Sequence, residues 1–316
     1  MTEVLKETNF DFLGKKRGGK VRDIYEPSTG SGQGSLILIS TDRHSSFDRL
    51  IAHVPHKGQV LNQVSAWWFE QTKDIVPNHV LAVPDPNVTV GKKCRMVPVE
   101  AVVRGYLTGV TDTAIWTRYS KGERNFGGVT LPEGMKKNQK LSRPIFDPTT
   151  KEEKHDRTLT PEEMIAEGFV TKELFEKVKQ TALALFAKGQ EIAAQRGLIL
   201  VDTKYEFGTD EIGNLVLIDE IHTPDSSRYW QTEGYEEGLQ KGGEPKSFDE
   251  EFLRLWFKEN CDPYKDEVLP EAPKELVEEL SRRYIQTYEQ ITGGKFQPAD
   301  VPIIPRIKRN LKQYAI

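Results

Sequence analysis

The chain has 316 residues, with 44 Lys and Arg against 48 Asp and Glu and a net charge of -4. Lacking a basic excess, it is no general nucleic-acid binder and no membrane-surface protein; no apolar run approaches the ~18 residues of a membrane span, and residues 1–7 carry no signal-peptide core. Its two cysteines, Cys94 and Cys261, form no zinc or redox spacing, so a soluble cytoplasmic protein without disulfides is expected, long enough for about two domains.

Residues 10–100 read as β-rich, with strand composition at 21–25, 35–40 and 95–103 and a Gly-Ser loop at 30–34. Arg17-Gly18-Gly19-Lys20-Val21-Arg22-Asp23-Ile24-Tyr25 puts two glycines and several cations where a loop enters a strand. Glycines let a backbone approach phosphate oxygens, and Lys20 and Arg22 supply charge from alternate positions on one face. The motif is neither a Walker loop nor GxGxxG, and a basic surface turn explains it equally well. Residues 40–48 crowd hydroxyls, acids and Arg43 into a segment after a strand, either a polar-ligand loop or simple turn chemistry. Pro55 between His53 and His56 spoils a helical ligand pair, so zinc is not expected.

Val60, Leu61, Val64, Trp67, Trp68 and Gln71 follow helical spacing, which predicts an amphipathic helix over 58–73 with both tryptophans in the core. In the apolar run 94–104, Pro98 cannot donate to a ladder. The run therefore suits an edge strand, or an interlobe connection whose backbone faces an adenine; the edge strand is the plainer reading. Residues 107–160 lack regular patterning and read as a long functional loop or lid rather than a domain. A helix is predicted over 171–196, buried through Phe175, Val178, Leu185 and Phe186 and ended by Gly197. Further helices are predicted over 247–260 and 273–292, and the tail 298–316 is expected to wrap the body.

The most informative segment lies between these helices. Leu198 to Val201 is apolar, after which period-two alternation sends Asp202, Lys204 and Glu206 to one face. Residues 208–213 read as a turn and 214–219 as a second strand, which makes an antiparallel hairpin. A turn centred on Glu211 and Ile212 sets Asp219 opposite Lys204 and diagonal to Glu206, and a slip of one residue reverses that facing. Carboxylates converging from adjacent strands repel unless a cation lies between them. Glu206 and Asp219 therefore read either as a nucleotide-Mg²⁺ site or as a salt-bridged solvent face neutralised by Lys204.

In chain order, Gly19-Lys20-Val21-Arg22-Asp23-Ile24-Tyr25, Ser40-Thr41-Asp42-Arg43, Met96-Val97-Pro98-Val99-Glu100, Val103-Arg104-Gly105-Tyr106, Val201-Asp202-Thr203-Lys204-Tyr205-Glu206-Phe207-Gly208, Asp219-Glu220 and Thr223-Pro224-Asp225-Ser226-Ser227-Arg228 together resemble the SAICAR synthetases. The resemblance runs from about residue 19 to 256, with wording close to a longer, yeast-like branch. It implies an α+β fold with a β-rich N-terminal lobe over 1–97, a larger lobe over 98–316 that carries the C-terminal helices, and ATP in the cleft between them. It implies further that ATP and Mg²⁺ are used to join L-aspartate to carboxyaminoimidazole ribotide (CAIR). A monomer is expected, with a homodimer as the alternative, and no nucleic-acid or membrane partner.

Carried over residue by residue, the resemblance gives Gly19, Lys20, Val21 and Arg22 to the ATP phosphates and Met96, Val97, Val99 and Glu100 to the nucleotide. Glu206 and Asp219 are implied as the Mg²⁺ ligands. Arg104, Asp202, Lys204 and Arg228 are implied to line the CAIR pocket, with Asp225 orienting Arg228 and Arg254 adding a phosphate contact. Lys20, Asp202 and Lys204 are the implied catalytic groups. Where many relatives carry Thr-Gly-Ser, this chain has Thr108-Gly109-Val110-Thr111, so a hydroxyl near the CAIR phosphate is missing or comes from Thr111. His56-Lys57-Gly58 is a milder departure. Residues 40–48 and 121–157 are the candidate aspartate pockets. A kinase-like phosphotransferase and a nucleotide-binding module without catalysis are the competing readings.

Overall fold

The structure, a computed structural model, describes the chain except for residues 1, 28–33, 48, 152–156, 158, 249–250 and 316. Most of the Gly-Ser loop, Asp48 and part of the expected lid therefore lie outside the described residues. The chain forms two compact units: Met1–Trp68 with His79–Lys93 and Phe248–Ile316, and Phe69–Asn78 with Cys94–Ser247.

In the first unit, β1 (Lys15–Gly18), β2 (Arg22–Glu26), β3 (Ser35–Ser40), β6 (Val80–Asp85) and β7 (Val88–Lys92) form an antiparallel sheet in the order β1-β2-β3-β7-β6. A hairpin of β4 (Arg43–Ser46) and β5 (Arg49–His53) precedes helix α1 (Lys57–Thr72). The predicted stripe of α1 is buried at Val60, Leu61, Val64 and Trp68. At the start of α1, Asp42 Oδ1 accepts from the Gly58 amide at 2.9 Å, satisfying a donor that has no partner within the helix.

The division expected between residues 97 and 98 placed residues 248–316 with the second part of the chain; here they cluster with the first. The reason is packing and charge. Helices α6 (Glu251–Asn260), α7 (Lys274–Thr292) and α8 (Ile303–Asn310) belong to this unit. Ile307 and Leu311 join Tyr25, Ile37, Ile39 and Val90 in one core. Arg306 donates to both oxygens of buried Asp85, at 3.0 and 3.2 Å, and to Asn87 Oδ1 at 2.6 Å. The tail thus lies against the core of this unit, largely as the helix α8.

The second unit is built on β8 (Arg95–Tyr106), β11 (Lys140–Phe146), β13 (Leu198–Thr209) and β14 (Leu215–Ile218), ordered β11-β8-β13-β14; β12 (Thr149–Thr150) pairs with β8, and β15 (Ser227–Gln231) pairs with β13. Short helices α2 (Ile115–Ser120) and α3 (Pro161–Ala166), the small β9 (Asn125–Phe126) and β10 (Val129–Thr130) pair, and α5 (Tyr235–Lys241) surround it. Helix α4 (Lys172–Gln195) packs on β8 and β13 through Phe175, Val178, Leu185 and Phe186. It is capped by Thr171 Oγ1 and ends before Gly197 at φ 68°.

Two expectations are corrected here. β8 is an interior strand, not an edge. Its register on β13 jumps from Glu206↔Glu100 to Gly208↔Met96, and Pro98 sits in that irregularity, where no ladder donor is needed. Residues 107–160 are not a bare lid, because β11 and β12 both pair with β8. Among the described residues no helix is long and apolar enough to cross a membrane.

Candidate active site

Glu100 and Arg104 of β8, Asp202, Lys204 and Glu206 of β13 and Arg228 of β15 share one face of the second unit's sheet. Asp202, Lys204 and Glu206 alternate along β13. Asp202 lies opposite Arg104 on β8 and opposite Arg228 on β15, and Glu206 lies opposite Glu100. Arg228 Nη1 is 3.1 Å from Asp202 Oδ2. Arg104 is buried and held: its Nε donates to Asp147 Oδ2 at 2.6 Å and its Nη2 to the Thr113 carbonyl at 3.0 Å. Arg118 grips the same carboxylate at 3.0 and 2.8 Å, so two guanidiniums share one buried acid.

One step along the sheet, Lys204 Nζ donates to Glu100 Oε1 at 3.1 Å and Thr149 Oγ1 to Glu100 Oε2 at 3.2 Å. Burial opposes the charge on Glu100, but Lys204 and Lys151 hold its carboxyl below the usual range. Lys204 is about half exposed, with 46 % of its side chain accessible. Desolvation works against its ammonium, and Glu100, then Glu206 and Glu220, overcome that and raise it well above the ordinary lysine range. Lys151 donates to Glu206 and lies 4.0 Å from Glu100 Oε1.

Burial first, and the Asp219 charge second, push the Glu206 carboxyl up to about 7. The hairpin register behind this differs by one residue from the expected one. Glu206 faces Ile218, because Asp210 and Asn214 close a three-residue loop with Gly213 at φ 86°. The slip alone would send Asp219 to the far face. Asp219 instead takes φ 68°, leaves the extended conformation, and brings its charge to bear on Glu206. The loop that follows is anchored in the core. His222, fully buried at φ 50°, bonds Tyr205 Oη through Nε2 at 2.5 Å, and Tyr229 Oη donates to its carbonyl at 2.8 Å.

Among the described residues no three His, Cys, Asp or Glu gather to hold a metal by themselves. A converging pair of hard carboxylates is what magnesium takes when water and phosphate oxygens complete its octahedron, so Glu206 and Asp219 fit it. The Thr108-Gly109 turn lies against Arg228: a Cβ on Gly109, at φ 101°, would sit 2.9 Å from Arg228 Nη1. Val110 and Thr111, which follow, are exposed.

The structure thus brings Glu100, Arg104, Asp202, Lys204, Glu206, Asp219 and Arg228 onto one surface, with Asp225 half-buried in the loop ahead of β15. Met96, Val97 and Val99 lie at the start of β8. Gly19, Lys20, Val21 and Arg22 are in the first unit, where they join β1 to β2. Arg254 also belongs to that unit, on α6, where its Nε donates to Ser46 Oγ at 3.2 Å. Lys151, Asp147 and Arg118 were missed by sequence reading. The period-two spacing of Asp147, Thr149 and Lys151 was the available signal, hidden in a stretch that looked irregular.

An α+β protein that arrays lysine and arginine beside paired carboxylates on one sheet is built as an enzyme acting on small anionic molecules. The SAICAR synthetase family model matches residues 15–271. The phosphoribosylaminoimidazole-succinocarboxamide synthase of Legionella pneumophila (strain Paris) is 55 % identical over 312 residues, covering 98 % of both chains. The chloroplastic enzyme of Arabidopsis thaliana is 53 % identical over 99 % of this chain and 76 % of its own. The SAICAR synthase of Saccharomyces cerevisiae, solved with SAICAR, superposes with a TM-score of 0.79 at 30 % identity, covering 93 % of this chain and all of that one. A SAICAR synthetase solved in complex with ADP superposes with a TM-score of 0.66 at 25 % identity, covering 90 % of this chain and all of that one. The chain belongs to the SAICAR synthetase family, the ligases of that step in purine biosynthesis.

Proposed function

We propose that the protein condenses L-aspartate with CAIR at the expense of ATP, giving SAICAR, ADP and phosphate through an acyl phosphate. The observation that carries this reading is the row Arg104, Asp202 and Arg228 beside the Lys204, Glu100, Lys151 and Glu206 cluster. Guanidiniums and an ammonium suited to a phosphate and a carboxylate stand next to carboxylates suited to a nucleotide-bound cation. The SAICAR and ADP complexes of related proteins support the same substrates.

A carboxylate is a poor acyl electrophile and must first be activated. In this reading a CAIR carboxylate oxygen attacks the γ-phosphorus and the bond to the bridging oxygen breaks, releasing ADP. Lys20 and Arg22, with the Gly19 and Val21 backbone, hold the phosphates, and Met96, Val97 and Val99 meet the nucleotide. Glu100 has its carboxylate committed to Lys204 and Thr149, so it would serve the nucleotide by holding Lys204 in place. Glu206 and Asp219 would hold Mg²⁺, which when bound neutralises charge on the transferring group. Arg104, Lys204 and Arg228 hold CAIR, with Thr111 in place of the usual serine and Asp225 bracing Arg228. The aspartate nitrogen then attacks the acyl carbon, phosphate leaves, and the amine proton passes to Asp202. The enzyme acts in the cytoplasm.

The test is ADP release by the purified protein with Mg-ATP and CAIR alone, aspartate alone, or both. Release that needs both substrates is expected. Turnover with CAIR alone would point to a phosphotransferase, and none in any mixture to a binding module.

A further inference from the structure

Every carbonyl in the loop between β1 and β2 is engaged. Gly19 O accepts from Arg43 Nη2 at 3.1 Å and Lys20 O from Arg43 Nε at 3.1 Å. Val21 O accepts from the Thr41 amide at 3.0 Å and from Thr41 Oγ1 at 2.8 Å, and Arg22 O from the Gly19 amide at 2.7 Å. This is unusual for a stretch whose Gly18, Gly19 and Lys20 are exposed, since water would satisfy those oxygens without help. Arg43 is itself fixed, with Nη1 donating to Lys6 O at 2.8 Å and Nη2 to buried Asp23 Oδ1 at 3.0 Å. Carbonyl oxygens repel phosphate, so a loop that receives an anion must turn them away.

We propose that Arg43 and Thr41 are positioning residues for nucleotide phosphates: by drawing the carbonyls of Gly19, Lys20 and Val21 to one side, they keep those three oxygens away from an anion that meets Lys20 and Arg22. The inference rests on the nucleotide reading above. A planar guanidinium reaches two loop carbonyls, Lys6 O and Asp23 at once, which an ammonium cannot do.

The experiment is calorimetric titration of ADP and of inorganic tripolyphosphate into wild type, Thr41→Val, Thr41→Ser and Arg43→Lys, with circular dichroism to establish folding. Losing one hydroxyl donor should weaken both ligands about fivefold in Thr41→Val. Losing the fork should weaken them about tenfold or more in Arg43→Lys. Thr41→Ser should restore wild-type binding, a rescue that mere loss of stability would not produce. If Arg43→Lys fails to fold, Thr41→Val decides. Wild type binding both ligands while the folded variants bind them equally well would overturn the inference. No binding of ADP by wild type would remove the nucleotide reading, and this inference with it.

Discussion

Glu206 and Asp219 are held in a conflict that Lys151 and Lys204 relieve only in part. A carboxyl pushed up to about 7 from an ordinary 4.5 binds a proton more tightly in the folded chain than in the unfolded one. Its stabilising contribution is therefore full below pH 4.5 and is lost as pH rises through 7. Asp219→Asn removes the neighbouring charge, keeps the oxygen, and suits φ 68°, which asparagine tolerates. Without metal at pH 8 this variant should gain about 1 kcal/mol in urea unfolding, while ATP turnover falls by about 100-fold or more. Glu206→Ala should abolish turnover with the fold intact. A fully active variant at either position, or an Asp219→Asn protein less stable at pH 8, would contradict the assignment. The facing of Asp202, Lys204 and Glu206 was legible as alternation on one strand. The placing of Asp219 was not, since it needs both a three-residue turn and a residue with positive φ, two backbone choices that the residue pattern does not reveal.

The loop from Asp219 to Ser226 owes its shape to the residues under it. His222 is buried, and burial pushes its imidazole down to about 3. A histidine depressed in the folded state contributes stability that is full above pH 6.5 and is lost as pH falls toward 3. That loss should approach ~1.4 kcal/mol per pH unit. His222→Gln should flatten this slope in denaturation curves between pH 6.5 and 4.5, at a cost of about 1–3 kcal/mol at pH 8 from the broken bond to Tyr205. An unchanged acid slope would show that another group titrates there. At this scale the long helices were legible, because α1, α4 and α7 carry sustained apolar periods and clear ends. β11 and β12 were not, because short strands flanked by Gly, Pro and Lys are defined by their partner β8 rather than by their own composition.

In the whole chain, the first unit is assembled from three stretches, and Arg306 with Asp85 closes it. Both side chains are buried. Asp85→Ala leaves the guanidinium uncompensated and should cost about 3–5 kcal/mol in thermal or urea unfolding. A loss below about 1 kcal/mol would mean that Asn87 and the Asp300 carbonyl suffice. The expected division near residue 97 put residues 248–316 with the second part of the chain, whereas they cluster with the first. A contact between residues more than 200 positions apart leaves no local trace in a sequence.

Such a closing contact also orders events in time. On the ribosome, residues 15–92 emerge well before Ile307 and Leu311, whereas most of the second unit runs without interruption from Cys94 to Ser247. The first sheet must wait, its core short of Ile307 and Leu311, while a later-made unit folds ahead of it.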